Sequence, residues 1–360
     1  MALSPNYGFP EPDNSSLVKN GAQDIRALGD AIDTAVWNIG FGQAGKNKII
    51  NGDFGVWQRG TSFASIADNV YFADRFKTVI GGAGTATYSR QTFTAGAAPV
   101  AGYEGNFFAR ASVSSGTGTT VMGIAQPIED VRTFAGQTAT LSFWAKADSA
   151  RTATVFLVQN FGAGGSGNVN LSTTIAVTTA WTRFTYTATL GSMSGKTIGT
   201  NSALQAEVDF LSGQASGSPQ LDLWGVQLEY GSKATPFETA TGTIQGELAA
   251  CQYYYKRVTP TTAYGYLSNV GSAISTSGVN ATINVGTMRV APTALDFSTL
   301  ALTADDSTVT AVTSANLLAS GSKDAALIRL NTSVGITQFR PYWAIANNST
   351  SAFIGLSAEL

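Results

Sequence analysis

Stretches of eight to ten residues built from β-branched and aromatic side chains recur along the chain, with runs of Gly, Ser and Asn between them. The clearest are "TLSFWAKA" (140–147), "TATVFLVQN" (152–160), "WTRFTYTATL" (181–190) and "LDLWGVQLE" (221–229). Such side chains suit a pleated, half-buried surface, and the small polar clusters suit turns. No helical period intervenes between the runs, so antiparallel strands of a sandwich are predicted rather than βαβ units. Charge agrees: only 12% of residues are Asp, Glu, Lys or Arg, against about 25% in an ordinary soluble domain.

The expected fold is mainly β, in four parts. Residues 1–45 form an attachment segment with a short helix, and 46–240 a β-sandwich of jelly-roll type. Residues 241–258 form a linker helix, and 259–360 a smaller C-terminal β domain. In the first part, "LSPNYGFPEPDNSS" is rich in Pro and turn formers and reads as extended, docked chain. After it, Ile25, Leu28, Ile32, Ala35 and Ile39 recur at a 3-4-3-4 spacing that gathers them on one helical seam. Two heptads are too short to hold a helix alone. The seam therefore reads as packed against the chain's own core, docked on another protein, or paired in an oligomer. In 241–258, Leu248, Cys251 and Tyr255 share a face, which makes Cys251 a small core residue.

Several functions are disfavoured by what the chain lacks. There is no histidine, so Ser–His and Cys–His nucleophile activation and the usual zinc ligands are missing. One cysteine, Cys251, excludes an intrachain disulfide framework. A net charge of −2 and a pI near 5.2 give no basic footprint for nucleic acid. No apolar run approaches the roughly 18 residues of a membrane helix, and no signal region follows Met1. Two stretches fit G-x-G-x-x-G: Gly40, Gly42, Gly45, and Gly162, Gly164, Gly167. Strand-like sequence follows each, and a dinucleotide site needs a helix there. Both read as loops.

Carboxylates could serve a glycosidase, but Asp53, Asp74, Glu104, Asp148, Asp209 and Asp222 are scattered, with no spacing that singles out a pair. The chain reads as a non-enzyme. Alternation along "LSFWAKA" sends Leu141, Phe143 and Ala145 to one face and Trp144 and Lys146 to the other. Trp144 and Lys146 on an outer face, joined by Trp57 and Tyr71 near turns, are the candidate carbohydrate-binding residues; burial in a core is the plainer reading of such aromatics. Asp53 and Asp222 are weak candidates for a structural Ca²⁺; no other cofactor is expected.

The ordered segments "NKIINGDFGVWQRGTSF", "YFADRFK", "IAQPIEDVRTFAGQTATLSFWAKA", "LDLWGVQLEYGSKATPFE" and "GELAACQYYYKR" resemble bacteriophage tail-fibre and related virion fibre proteins. The central domain of these proteins is similar to a carbohydrate-binding-module jelly roll. The opening "SPNYGFPEPD" with "VKNGAQDIRALGDAID" resembles the attachment segment of phage minor tail proteins, and "FIGLSAEL" the last strand of fibre tips. The resemblance implies a homotrimer assembled in the host cytoplasm and carried on the virion, at the tail or the capsid surface. Its N-terminus would dock on other virion proteins through the seam of Ile25, Leu28, Ile32 and Ala35, and its β domains would bind host surface polysaccharide. Two rivals stand beside this: a purely structural head-fibre, decoration or collar protein, and a glycan-degrading tailspike-type hydrolase.

Overall fold

The structure is a computed structural model that describes residues 2–3, 9–11, 20–39, 45–82, 84–100, 103–115, 119–210, 219–305 and 308–360. The chain is mainly β, as expected. At the N-terminus β1 (Ala2–Leu3) pairs with β2 (Pro10–Glu11), and α1 (Gly21–Ile39) follows.

A two-sheet sandwich is then built from β3 (Ser62–Phe63), β4 (Lys77–Gly82), β5 (Thr85–Thr92), β6 (Phe107–Ser115), β7 (Thr119–Glu129), β8 (Thr138–Ala147), β9 (Arg151–Asn160), β10 (Val169–Val177), β11 (Thr182–Thr189), β12 (Ala203–Asp209) and β13 (Gln220–Tyr230). One sheet has the order β10-β9-β12-β7-β4 and the other β11-β8-β13-β6-β5-β3. Alternation decides what lies between them. Leu141 and Phe143 of β8 and Leu221, Leu223 and Leu228 of β13 meet Met122 and Ile124 of β7, Val155 and Leu157 of β9, and Leu204 and Val208 of β12.

The centre of the outer face of the six-stranded sheet is closed off from solvent. Register breaks in β13 between Trp224 and Gln227. At the break Gly225 takes φ 64°, and a Cβ there would lie 2.7 Å from the Trp144 ring. Beyond β13 the chain folds back over the same face. Glu229 accepts from Thr235 N (2.8 Å) and Thr235 Oγ1 (2.7 Å), and Gln227 Oε1 accepts from Glu238 N (2.9 Å). Asn47 clasps the fold-back from below: its amide donates to Val226 O and Glu238 O, and its oxygen accepts from Ile49 N and Leu228 N. Phe237 is thereby laid on Trp144 and Trp224, with Phe93 and Phe108 completing a second apolar cluster.

The C-terminal part comprises α2 (Ile244–Gln252), β14 (Tyr255–Val258), β15 (Gly271–Ala273), β16 (Gly278–Asn284), β17 (Ala294–Ser298), β18 (Leu300–Thr303), β19 (Val309–Leu318), β20 (Ala325–Thr332), β21 (Pro341–Ala346) and β22 (Phe353–Ser357). Strands β15-β16-β20-β19-β18-β21 close a barrel, and β14-β22-β17 form a three-stranded sheet beside it. The helix is shorter than the sequence suggests: Tyr255 lies in β14, paired with Ser357 of β22. Cys251 is buried as expected, whereas Leu248 is exposed. The inward residue is Glu247, whose carboxylate accepts from Asn51 N (2.6 Å), Thr241 N (2.7 Å) and Thr241 Oγ1 (2.8 Å).

Sandwich and C-terminal strands meet in a buried polar joint. Glu359 forms ion pairs with Arg75 and with Arg59 (3.2 Å). The Arg75 guanidinium lies 3.5 Å from the Tyr254 ring centroid, and that of Arg59 3.7 Å from the Tyr255 centroid. Arg257 donates to Gln58 O (2.7 Å), and Gln58 Nε2 donates to Tyr255 O (2.9 Å). Removing one partner of a buried ion pair strands the other charge. Glu359→Ala is therefore expected to cost about 3–5 kcal/mol, read as a lower midpoint in urea and thermal unfolding, with Glu359→Gln costing less. An unchanged midpoint in Glu359→Ala would mean that the two tyrosine rings alone suffice to hold the arginines.

Candidate functional site

The residues singled out in the sequence do not converge on one site. Trp144 does stand on the outer face of β8, but it is only 8% exposed. Trp224 and Phe237 cover it, and the Arg183 guanidinium lies 4.8 Å from its ring centroid. It is core, and no sugar can stack on it. Lys146, on the same face, lies 3.6 Å from Asp222 Oδ2 and 5.2 Å from the Trp181 ring. Trp57 is half-buried, donating from Nε1 to Phe54 O at 2.7 Å. Tyr71 sits at the joint with the C-terminal tail, 5.4 Å from the Arg59 guanidinium, and burial pushes its hydroxyl pKa up to about 12.

The Ca²⁺ candidates are engaged otherwise. Asp222 is buried and accepts from Arg110 at 2.7 and 2.8 Å, with Lys146 beside it. Two cations already fill the place a metal would take. Asp53 accepts from Tyr103 Oη (3.0 Å) and Gly55 N (3.2 Å). Among the described residues no three metal-ligating side chains gather. On the seam, Ile25 is 67% and Ile32 43% exposed, and Leu28 is half-buried. Ala35 belongs to α1, but its side chain lies outside the described ones.

The outer face of the five-stranded sheet carries a different set of side chains. Along β12, Leu204, Ala206 and Val208 point inward, so Gln205, Glu207 and Asp209 point out. Along β9, Val155 and Leu157 point inward, so Phe156 and Val158 point out. Register aligns these into rows across the sheet. One row runs Lys77, Ala125, Glu207, Phe156, Ser172; a second runs Val79, Gly123, Asp209, Thr154, Thr174. A third places Gln205 between Pro127 and Val158, with Asn170 beyond. An aromatic ring and a valine thus lie flanked by an amide, two carboxyls and a row of hydroxyls. A polyhydroxylated ring, with one apolar face and hydrogen-bonding edges, matches that arrangement.

The electrostatics of the face are set by crowded acids. Gln205 Nε2 donates to Glu207, and Asp209 follows Glu207 on the same side of β12. Asp209 is pushed up to about 9, first by burial, then by the neighbouring Glu207 carboxylate, with Asp68 adding to it. Its Oδ1 lies directly over Gly123, where a Cβ would come within 1.9 Å, so β7 needs glycine at that position. Lys77 donates to Asn69 Oδ1 (2.8 Å), and burial lowers its pKa. Asp209 looked like one scattered carboxylate in the sequence, but the inside-outside alternation of "ALQAEVD" and "TATVFLVQN" marks this face once β9 and β12 are known to be neighbours.

No protein-family model matches the chain, and no curated protein matches it in sequence. Solved structures with a similar fold include a family 4 carbohydrate-binding module: 26% identity over 34% of this chain and 84% of that one, TM-score 0.26. The family 11 carbohydrate-binding module of Clostridium thermocellum, in complex with a mixed-linked tetrasaccharide, is 12% identical over 48% and 98%, TM-score 0.29. The enzymatically active domain of bacteriophage CBA120 tailspike protein 4 is 16% identical over 51% and 21%, TM-score 0.32.

Proton binding at Asp209 gives the face a pH signature. The folded chain holds this proton where an unfolded carboxyl, with its pKa near 3.9, has lost it. The associated stability is therefore full below about pH 4 and is lost as pH rises toward 9. Asp209→Asn, which keeps the neutral form, is expected to flatten the fall in melting temperature between pH 5 and pH 9. An identical slope in the variant would mean that Asp209 is ionised across that range.

Proposed function

We propose that the chain is a non-enzymatic virion fibre or spike protein that binds host surface polysaccharide on the outer face of the five-stranded sheet. It works as a homotrimer attached to the particle through residues 1–45. The observation that carries the reading is the pairing on that face of Phe156 and Val158 with Gln205, Glu207 and Asp209, while Phe237 covers the centre of the opposite outer face. An apolar platform edged by hydrogen-bonding groups is the chemistry a sugar ring needs. Exposed Ile25 and Ile32 on α1 support association through the helix, because two isoleucines facing water leave that stripe uncovered within one chain. A single such sugar site is weak, and three sites on one particle-bound fibre gain about 10²–10⁴ in avidity.

The deciding experiment is binding of the fluorescently labelled full chain to intact host cells, with and without free surface polysaccharide. Saturable binding abolished by the polysaccharide is expected; absence of binding to cells and polysaccharide alike would leave a purely structural virion part. Phe156→Ala is expected to weaken binding at least tenfold with little change in melting temperature. Trp144→Ala is expected to do the reverse, losing about 3–5 kcal/mol of stability as a buried aromatic. If Trp144→Ala weakened binding at unchanged stability, the recognition face would be the other sheet. Light scattering of the purified chain is expected to give three times the mass of one chain; a monomer at micromolar concentration would remove the trimer.

A further inference from the structure

A second cleft lies away from the five-stranded face, where α2 meets the sandwich. It has a volume of about 360 Å³ and is walled by Asp53, Tyr103, Glu104, Asn106, Phe107 and Ile244. That volume is within the range of small-ligand pockets, at its lower end, and holds one or two sugar rings. The walls divide by chemistry. Tyr103, Phe107 and Ile244 supply apolar surface, and Ile244 is 63% exposed at the rim. Asp53, Glu104 and Asn106 supply acceptors and one amide donor.

The acids are already held in place by the chain. Asp53 accepts from Tyr103 Oη and Gly55 N, and Glu104 Oε1 accepts from Gly96 N at 2.6 Å. Each such carboxylate keeps lone pairs for further donors. Glu247, at the back, is committed to Asn51 and Thr241. An anionic ligand would face three carboxylates in this cleft and is excluded by repulsion. The Arg90 guanidinium, 4.1 Å from the Phe107 ring centroid, already places one cation beside this wall. A neutral ligand rich in hydroxyl donors, with apolar C–H faces for the rings, satisfies both walls.

We propose that this cleft is a second carbohydrate site, taking one or two neutral sugar units of a glycan and rejecting uronic and sialic acids. Its ligand lies between the sandwich and α2, so the site exists only because the residues after β13 fold back on the jelly roll. It does not depend on the five-stranded face being a site.

The two surfaces can be watched separately in the intact protein by methyl NMR with labelled Ile and Val, because Ile244 lines the cleft and Val158 lies on the sheet face. The probes are a panel of neutral disaccharides (maltose, cellobiose, lactose, N,N′-diacetylchitobiose), glucuronate, and arginine amide. Saturable movement of the Ile244 methyl with at least one neutral disaccharide and none with glucuronate is expected. Glu104→Lys, at an exposed position, is expected to abolish that response and leave any response of Val158 in place. An Ile244 methyl unmoved by every neutral disaccharide would overturn the proposal, whatever Val158 does. Movement with glucuronate, or with arginine amide alone, would also overturn it, the latter marking a cleft for a basic peptide. If Val158 is silent while Ile244 responds, the sheet-face reading falls and the cleft stands.

Discussion

Glu229 is a carboxylate in the middle of a sheet, 1% exposed, and its hydrogen bonds decide which surfaces of this protein meet the world. Burying a charge is costly unless it is paired and fully hydrogen-bonded. Glu229 meets that condition by drawing Thr235 N, Thr235 Oγ1 and Gln227 Nε2 to itself, with Lys46 3.5 Å away. The segment after β13 must therefore lie back across the outer face of the six-stranded sheet, and Phe237 comes down on Trp144 and Trp224 as a consequence. The centre of one outer face is thereby made into a second core. The start of α2 is carried to the place where the cleft forms.

The same fold-back helps hold the C-terminal strands against the sandwich. After Phe237 the chain stays on the sandwich through Glu247, which ties α2 to Asn51. It then leaves through β14, whose Tyr255 carbonyl accepts from Gln58. The return from the barrel ends at Glu359, between Arg59 and Arg75. Contacts at both ends of the C-terminal part therefore reach the same patch of sandwich, around residues 51–75. The C-terminal part is thus tied to the sandwich near both of its ends.

Strand positions and sidedness were legible in the sequence because they rest on a local rule, the period of two. "TLSFWAKA" and "TATVFLVQN" fall within β8 and β9, and the inward set Leu141, Phe143, Ala145 is as alternation requires. The environment of the outward set was not legible. Alternation sends Trp144 outward, but whether outward means solvent depends on Phe237, ninety-three positions further along, and on an unmarked glutamate that bends the chain. Aromatic content marked burial for the same reason: Trp144 and Trp224 lie in a core, while among the described strand residues of the five-stranded sheet's outer face the aromatic ring is Phe156. The helix over 241–258 was too long because Tyr255 shares a helical face with Cys251 and equally well a strand opposite Ser357; short apolar runs do not separate the two.

Electrostatics bring the two candidate surfaces under one constraint. Both are acceptor-rich and short of cation: Glu207, Asp209 and Asp68 against Lys77 on the sheet, and Asp53, Glu104 and Glu247 in the cleft, where Arg90 is taken up by a ring. Attraction over distance then contributes nothing to finding an anionic polysaccharide, since steering needs a patch of opposite charge. A ligand of the proposed sites would be held at short range, by stacking on Phe156 and by hydrogen bonds from hydroxyls to carboxyls. Such contacts are weak one at a time and tolerant of sugar sequence, and they become useful when many act together on one particle. A face of this kind favours a neutral, repetitive polymer over a single charged epitope.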